Sequence, residues 1–231
     1  LYEAGKYNKA NRLFMQIVPK YRGKPQAQKL MYMYSMTFYK MKDYYTANYQ
    51  MERFVSSYAN SEKVEEIAYL GAKSYYHLSP IFSKEQKETI EAIEKLQGFI
   101  NRFTESQYLS EANTLVKELE YKLENKAYSI AKQYNHIEDF QASIKSFDNF
   151  ILEFPGTTLR ENAMFYRLDS AYKLAINSIQ YKKEERLKIA ITYFNSFKIA
   201  YANSEQKEEA DKMNEELNGL LQEFITKVNT K

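Results

Sequence analysis

The sequence predicts an all-α fold in which about five helix–turn–helix units stack into a solenoid, closed by a C-terminal capping helix. Three observations lead there. Only six Gly and four Pro occur in 231 residues, too few for the many tight turns of a β-sandwich or barrel. The bulky apolar groups are 22 Tyr and 14 Phe, without one Trp. Most decisive is a spacing that returns five times, a small residue followed at +4, +7 and +11 by bulky apolar ones.

The five copies are Ala10, Phe14, Ile17, Tyr21; Ala47, Met51, Phe54, Tyr58; Ala92, Leu96, Phe99, Phe103; Ser143, Phe147, Phe150, Phe154; and Ala190, Phe194, Phe197, Tyr201. Those offsets share one helical face, so each copy is an amphipathic helix burying an aromatic stripe. The stripes run into Gly23-Lys24-Pro25, Asn60-Ser61, Glu105-Ser106, Gly156-Thr157 and Asn203-Ser204. The Ser and Thr hydroxyls there are placed to accept from free backbone N–H groups where the next helix opens. In the first unit, about 1–24, Pro19 falls inside the stripe and predicts a kink. The second, 25–61, turns between its helices at Asp43-Tyr44. The third, 62–106, is interrupted by the loop His77 to Ser83, where Pro80 breaks any helix. The fourth, 107–157, has neither Gly nor Pro from Leu109 to His136 and reads as one helix of about 28 residues, roughly 42 Å long. It turns at Asp139-Phe140 into its stripe. The fifth, 158–204, carries the polar run Gln180 to Arg186 between its helices. A capping helix over 205–228 follows, with Met213, Leu217, Leu220, Leu221, Phe224, Ile225 and Val228 on its apolar side. Successive small residues lie 37, 45, 51 and 47 apart; only the first is near the period of about 34 of the tetratricopeptide repeat, whose A-x3-F element the stripe resembles. That resemblance implies a right-handed superhelical array.

Composition narrows the function. With 33 Lys and Arg against 30 Asp and Glu the net charge is +3, too small for a strongly basic nucleic-acid binder. The basic patch Lys182-Lys183 and Arg186 is interrupted by Glu184 and Glu185, so no nucleic-acid partner is expected. No Cys is present, which removes disulfides, thiolate metal sites and cysteine nucleophiles from these residues. His77 and His136 stand far apart, in a loop and at a helix end, and neither adjoins a ligand-type cluster. Gly-rich phosphate cradles, HExxH and GxSxG are all missing. Mixed charges over Lys84 to Glu94 and Glu205 to Glu216 read as solvated helix faces. The expectation is a binding protein, not an enzyme, with no cofactor or metal.

A helical solenoid offers a long face lined by the first helix of each pair. Taking Asp43-Tyr44 as the turn puts Met31, Tyr34, Ser35 and Phe38 inside, and turns Lys29, Tyr32, Met36 and Tyr39 to the groove. The same register places Glu66, Tyr69, Lys73 and Tyr76 on the groove side of the third unit. Tyr32, Met36, Tyr39, Tyr69, Lys73 and Tyr76 are thus the expected peptide-binding residues. Tyr128, Lys132 and Asn135 in the fourth unit, alongside Asn125, and Phe165 in the fifth are expected to face a partner. Tyrosine brings contact area, a polar tip and few rotatable bonds, which suits adaptable peptide binding. The competing role for the ladder is filling the seam between adjacent hairpins.

With the units laid out, the whole chain resembles the BamD family of outer-membrane assembly lipoproteins. The residues that carry the resemblance are Phe154-Pro155-Gly156-Thr157, Tyr201-Ala202-Asn203-Ser204, Tyr58-Ala59-Asn60-Ser61 and Tyr21-Arg22-Gly23-Lys24-Pro25, with the loop at Ser79-Pro80 and the long helix after it. The chain departs from the family pattern in having Pro after the aromatic in one unit only, and in the insertion around Ile179 to Arg186. The resemblance implies a periplasmic scaffold at the outer membrane, anchored by a lipidated Cys upstream of Leu1. It implies BamA-like periplasmic domains as a partner of the C-terminal repeats, and unfolded outer-membrane proteins as clients of the N-terminal ones. The alternative is another tetratricopeptide adaptor, for cell-envelope coordination or secretion.

Overall fold

In the computed structural model residues 1–229 are described, with side chains through residue 227. The described residues form ten α-helices and no strand. The chain divides into two compact units, Leu1–Leu123 and Glu124–Lys231. Unit 1 holds α1 (Tyr7–Ile17), α2 (Ala27–Lys40), α3 (Tyr44–Ser57), α4 (Val64–Leu78), α5 (Lys87–Arg102) and the first half of α6 (Leu109–His136). Unit 2 takes the rest of α6 with α7 (Phe140–Glu153), α8 (Arg160–Ile176), α9 (Gln180–Ala200) and α10 (Lys207–Asn229). Inside each unit helices pack on their chain neighbours, and α2 also meets α4 as α8 meets α10. That is the pairing of a tetratricopeptide-like helical array.

The aromatic stripes build the cores. Phe54, Phe147 and Phe150 are at most 1% exposed, and every stripe buries its small residue and the bulky residue four positions on. In unit 1 the buried apolar residues gather around Met31, Met51, Phe54 and Ile67, and around Leu96, Phe99, Val116 and Leu119. In unit 2 they gather around Phe147 and Phe150, around Leu168, Phe194 and Phe197, and around Leu187 and Leu217. The last aromatic of four stripes leaves the helix: Tyr58, Phe103, Phe154 and Tyr201 are C-cap residues with extended φ. Each ring lies 5.2–5.9 Å from the Phe four residues earlier and so closes the helix end. Next come Ser61, Ser106, Thr157 and Ser204, whose hydroxyls accept from the N–H two residues on, at 3.0–3.1 Å. The following helices begin three residues after each hydroxyl, so these side chains hold the turn and do not cap the helix itself.

Three local expectations change. The chain does not kink through Pro19; α1 stops at Ile17 and Val18–Tyr21 forms a 3-10 turn. Proline has no N–H to give to the carbonyl four residues back, and it is tolerated at the start of a new, tighter turn. The run Gln180 to Arg186 is not a loop but the opening of α9, because the turn is made earlier, by Asn177, Ser178 and Ile179. Lys183 then donates to the Ile176 carbonyl at 2.7 Å, and Arg186 to Ser178 Oγ at 2.8 Å, tying the start of α9 to the end of α8. His77 belongs to the last turn of α4 and not to the loop. The long helix Leu109–His136 has the 28 residues expected. In α10, Met213 and Leu217 of the expected apolar side are buried, Leu220, Leu221 and Phe224 are half-buried and Ile225 is exposed, whereas the Val228 side chain lies outside the described residues.

Candidate functional site

The face carried by α2, α4 and the first half of α6 brings the sequence-predicted ladder together within unit 1. Tyr32 on α2 is half-buried; its hydroxyl donates to Glu66 on α4 at 3.1 Å, and the Lys63 ammonium lies 5.6 Å from its ring. Two turns along α4, Lys73 is 2.5 Å from Glu111 on α6 and 5.5 Å from the Tyr69 ring. At the end of α4 the Tyr76 hydroxyl donates to Glu118 at 2.6 Å. Beside it His77 stacks on Tyr44 at 4.4 Å, and the Tyr39 hydroxyl sits 3.5 Å from its Nε2. Side chains of α2 are thus tied to α4, and those of α4 to α6.

Two predicted contact residues here are core residues instead. Met36 is 5% exposed and packs among Met31, Met51, Phe54 and Ile67. Tyr69 is 2% exposed; its ring stacks on Tyr108 at 4.5 Å with an interplanar angle of 7°, and it packs against Phe99. The reason is shared. A helix flanked by neighbours on two sides buries a wider arc than an amphipathic surface helix does, and on α2 the four consecutive residues Ser35 to Phe38 are all buried. The Tyr69 hydroxyl faces the Glu111 carboxylate, which Lys73 already engages, and is left without a hydrogen bond of good geometry.

The electrostatics of this face keep its phenols protonated. Burial and the Tyr44 phenol push Tyr39 up to about 12. The hydrogen bond to Glu118, with burial, does the same to Tyr76. Tyr32 and Tyr69 rise further still, each through burial and a nearby carboxylate, Glu66 and Glu111 respectively. His77 moves down, through burial and the cations Lys73 and Lys42. Phenols held above their ordinary range keep their protons at neutral pH; they donate hydrogen bonds and are poor bases or nucleophiles. Among the described residues no three His, Asp or Glu side chains converge as metal ligands.

In unit 2, Tyr128 is half-buried with its ring in edge contact with Phe147, Phe150 and Tyr166. Lys132 is exposed, its ammonium 4.6 Å from the Tyr166 ring. Asn135 donates to Asp169 and Ser170, each at 2.8 Å. Phe165 does not face a partner: at 5% exposure it sits with Met164, Leu168 and Phe197, again because α8 is covered on two sides. Tyr172 repeats the unit 1 pattern, donating to Glu216 at 2.6 Å.

The carboxylate acceptors Glu111, Glu118 and Glu216 were not singled out from the sequence. They stand 38, 42 and 44 residues after Lys73, Tyr76 and Tyr172, which is about one unit onward, so the repeat register itself was the signal. The sequence marks Tyr44 only as the residue that follows the turn at Asp43. No helix among the described residues is long and apolar enough to cross a membrane.

No curated protein sequence matches the chain significantly. The profile of one family, YfiO, described as an outer membrane lipoprotein, matches residues 1–187. That span takes in α1 to α8 and the start of α9, with both the ladder of unit 1 and the Tyr128 face of unit 2. With an all-helical array of paired neighbours and a match over most of its length, the chain belongs to the YfiO family of outer membrane lipoproteins.

Proposed function

We propose that the protein is a non-enzymatic, BamD-like scaffold of the β-barrel assembly machinery on the periplasmic face of the outer membrane. In this reading it binds BamA-like periplasmic domains and unfolded outer-membrane protein clients, and is anchored through a lipidated Cys preceding Leu1. The family match over residues 1–187 carries the reading. The protonated phenols of unit 1 support it, as a surface suited to contact. The client would lie along α2 and α4, over Tyr39, Tyr76 and His77. An incoming strand alternates apolar and polar side chains, and a phenol can meet both. Lys132 and the exposed edge of Tyr128 would serve the partner domain.

Two measurements test this. Purification of the intact protein from its membrane is expected to recover a BamA-like barrel protein. Recovery of a secretion or cell-wall protein in its place would favour the other adaptor role. Binding of a peptide from the terminal strand of an outer-membrane barrel should weaken about tenfold in Tyr39→Ala/Tyr76→Ala, a loss typical of removing two aromatic contacts. Unchanged affinity in a folded double variant would remove this face from client binding.

A further inference from the structure

The net charge of +3 conceals an uneven distribution. Residues 1–61 carry ten Lys and Arg against three Asp and Glu, and between Glu3 and Asp43 nine cations follow one another without a single carboxylate. In the fold this stretch makes α1, the 3-10 turn and α2, and with α3 these enclose a cavity of about 410 Å³. Its apolar wall includes Met15, Val18 and Met31, and its charged groups are Arg22 and Arg53; no Asp or Glu lines it. Arg22 is exposed and has no ion pair or hydrogen bond among the described residues. Arg53 donates to Gln50 Oε1 at 3.2 Å and lies 5.7 Å from the Tyr49 ring, with no carboxylate partner among the described residues. Gln50, only 9% exposed, lines the same cavity. Outside it, α1 leaves Leu13 exposed along with Lys9 and Arg12.

We propose that this cavity binds an amphipathic anion, a phosphate or carboxylate bonded to an apolar chain. The head group meets Arg22 and Arg53, and the chain lies on Met15, Val18 and Met31. Guanidinium forks match both head groups bidentately, and two of them beside an apolar wall leave like charges unanswered until an anion arrives. Methionine side chains adapt to a flexible chain, and the cavity is of the size that holds small ligands. A bare inorganic anion would leave the apolar wall wet. A neutral amphiphile would leave the guanidiniums without a counter-charge. The inference stands apart from the assembly role and uses residues not assigned to client or partner.

The test is calorimetric titration of the purified protein with dodecyl phosphate below its critical micelle concentration, alongside inorganic phosphate and dodecyl maltoside. Dodecyl phosphate is expected to bind at least about tenfold more tightly than either control, since only it answers both walls. Arg22→Gln/Arg53→Gln should weaken it about tenfold. Met15→Glu, at an exposed position that tolerates the change, should do the same by placing a carboxylate on the wall, while Arg102→Gln on α5 should not. Thermal melting confirms that each variant is folded. Vesicles of phosphatidylglycerol and phosphatidylcholine, against phosphatidylcholine alone, separate the sources. Arginine-dependent co-sedimentation assigns the ligand to a bilayer, and its absence with retained dodecyl phosphate binding assigns a free amphiphile; both uphold the site. Equal affinity for inorganic phosphate or for dodecyl maltoside, unchanged affinity in the folded double variant, or tighter binding of a polyglutamate peptide would overturn it.

Discussion

Tyr69 carries a hydroxyl that the fold buries without using. Its ring has good company in Tyr108 and Phe99, but the oxygen makes no hydrogen bond of good geometry, although the Glu111 carboxylate is near. Burying such a group costs about 1–3 kcal/mol, whereas the ring's packing survives its removal. Tyr69→Phe is therefore expected to stabilise unit 1 by about 1 kcal/mol, read as a rise in urea or thermal midpoint. A fall would mean that the hydroxyl does reach Glu111 in solution. The same residue shows where sequence reasoning stopped. Helical register placed Tyr32 and Tyr39 at a half-exposed face, which is where they are. It also placed Met36, Tyr69 and Phe165 there, because a one-face projection takes no account of a second neighbouring helix. Burial on two sides is a tertiary fact, and only the repeat register, with its carboxylates about one unit downstream, hinted at the pairs that seal the seam.

Among the elements, the helix starts were the most legible, since three of them share one construction. Gly5-Lys6-Tyr7, Lys42-Asp43-Tyr44 and Glu138-Asp139-Phe140 each place a residue with φ of 62–69° before the cap residue and an aromatic that opens the helix. At the second, the Lys42 N–H donates to the Tyr39 carbonyl and the Asp43 N–H to that of Phe38, each at 3.0 Å, the paired bonds of a Schellman stop. The Asp43 and Asp139 carboxylates then each accept from the N–H three residues on at 3.2 Å, starting the next helix. Gly5 suits the left-handed backbone, whereas Lys42 and Glu138 adopt it with a Cβ in the way. Replacing both by Gly should raise stability by about 1 kcal/mol in sum, after allowing for the freer unfolded chain. Asp43→Ala should cost about 1 kcal/mol. Denaturant midpoints check both, and a destabilised Lys42→Gly/Glu138→Gly protein would show the turn is not strained. The start of α9 was less legible, because Gln180 to Arg186 is charged but contains no helix breaker, and polarity alone does not distinguish a loop from an exposed helix end.

At the scale of the whole molecule, the many tyrosines set the response to alkali. Tyr39 and Tyr128, raised mainly by burial, and Tyr76 and Tyr172, raised mainly by hydrogen bonds to Glu118 and Glu216, are all pushed up to about 12, and they are shared between the two units. Lys63 and Lys95 move the same way through their hydrogen bonds to Glu66 and Glu52. Folding thus favours the protonated form of each group. In the unfolded chain a tyrosine loses its proton near pH ~10 while its folded counterpart still holds it, so the unfolded state binds fewer protons over that interval. Stability contributed by these groups is complete below the unfolded value and is lost as pH rises toward the folded one. The thermal midpoint should hold steady up to about pH 9.5 and then fall steeply between about pH 10 and 12. Tyr39→Phe/Tyr128→Phe removes two burial-raised phenols with little loss of hydrogen bonding, and should make that fall shallower while leaving the midpoint at neutral pH nearly unchanged. A midpoint that persists to pH 12, or a fall equally steep in the double variant, would mean that these phenols titrate as freely in the folded protein as in the unfolded chain.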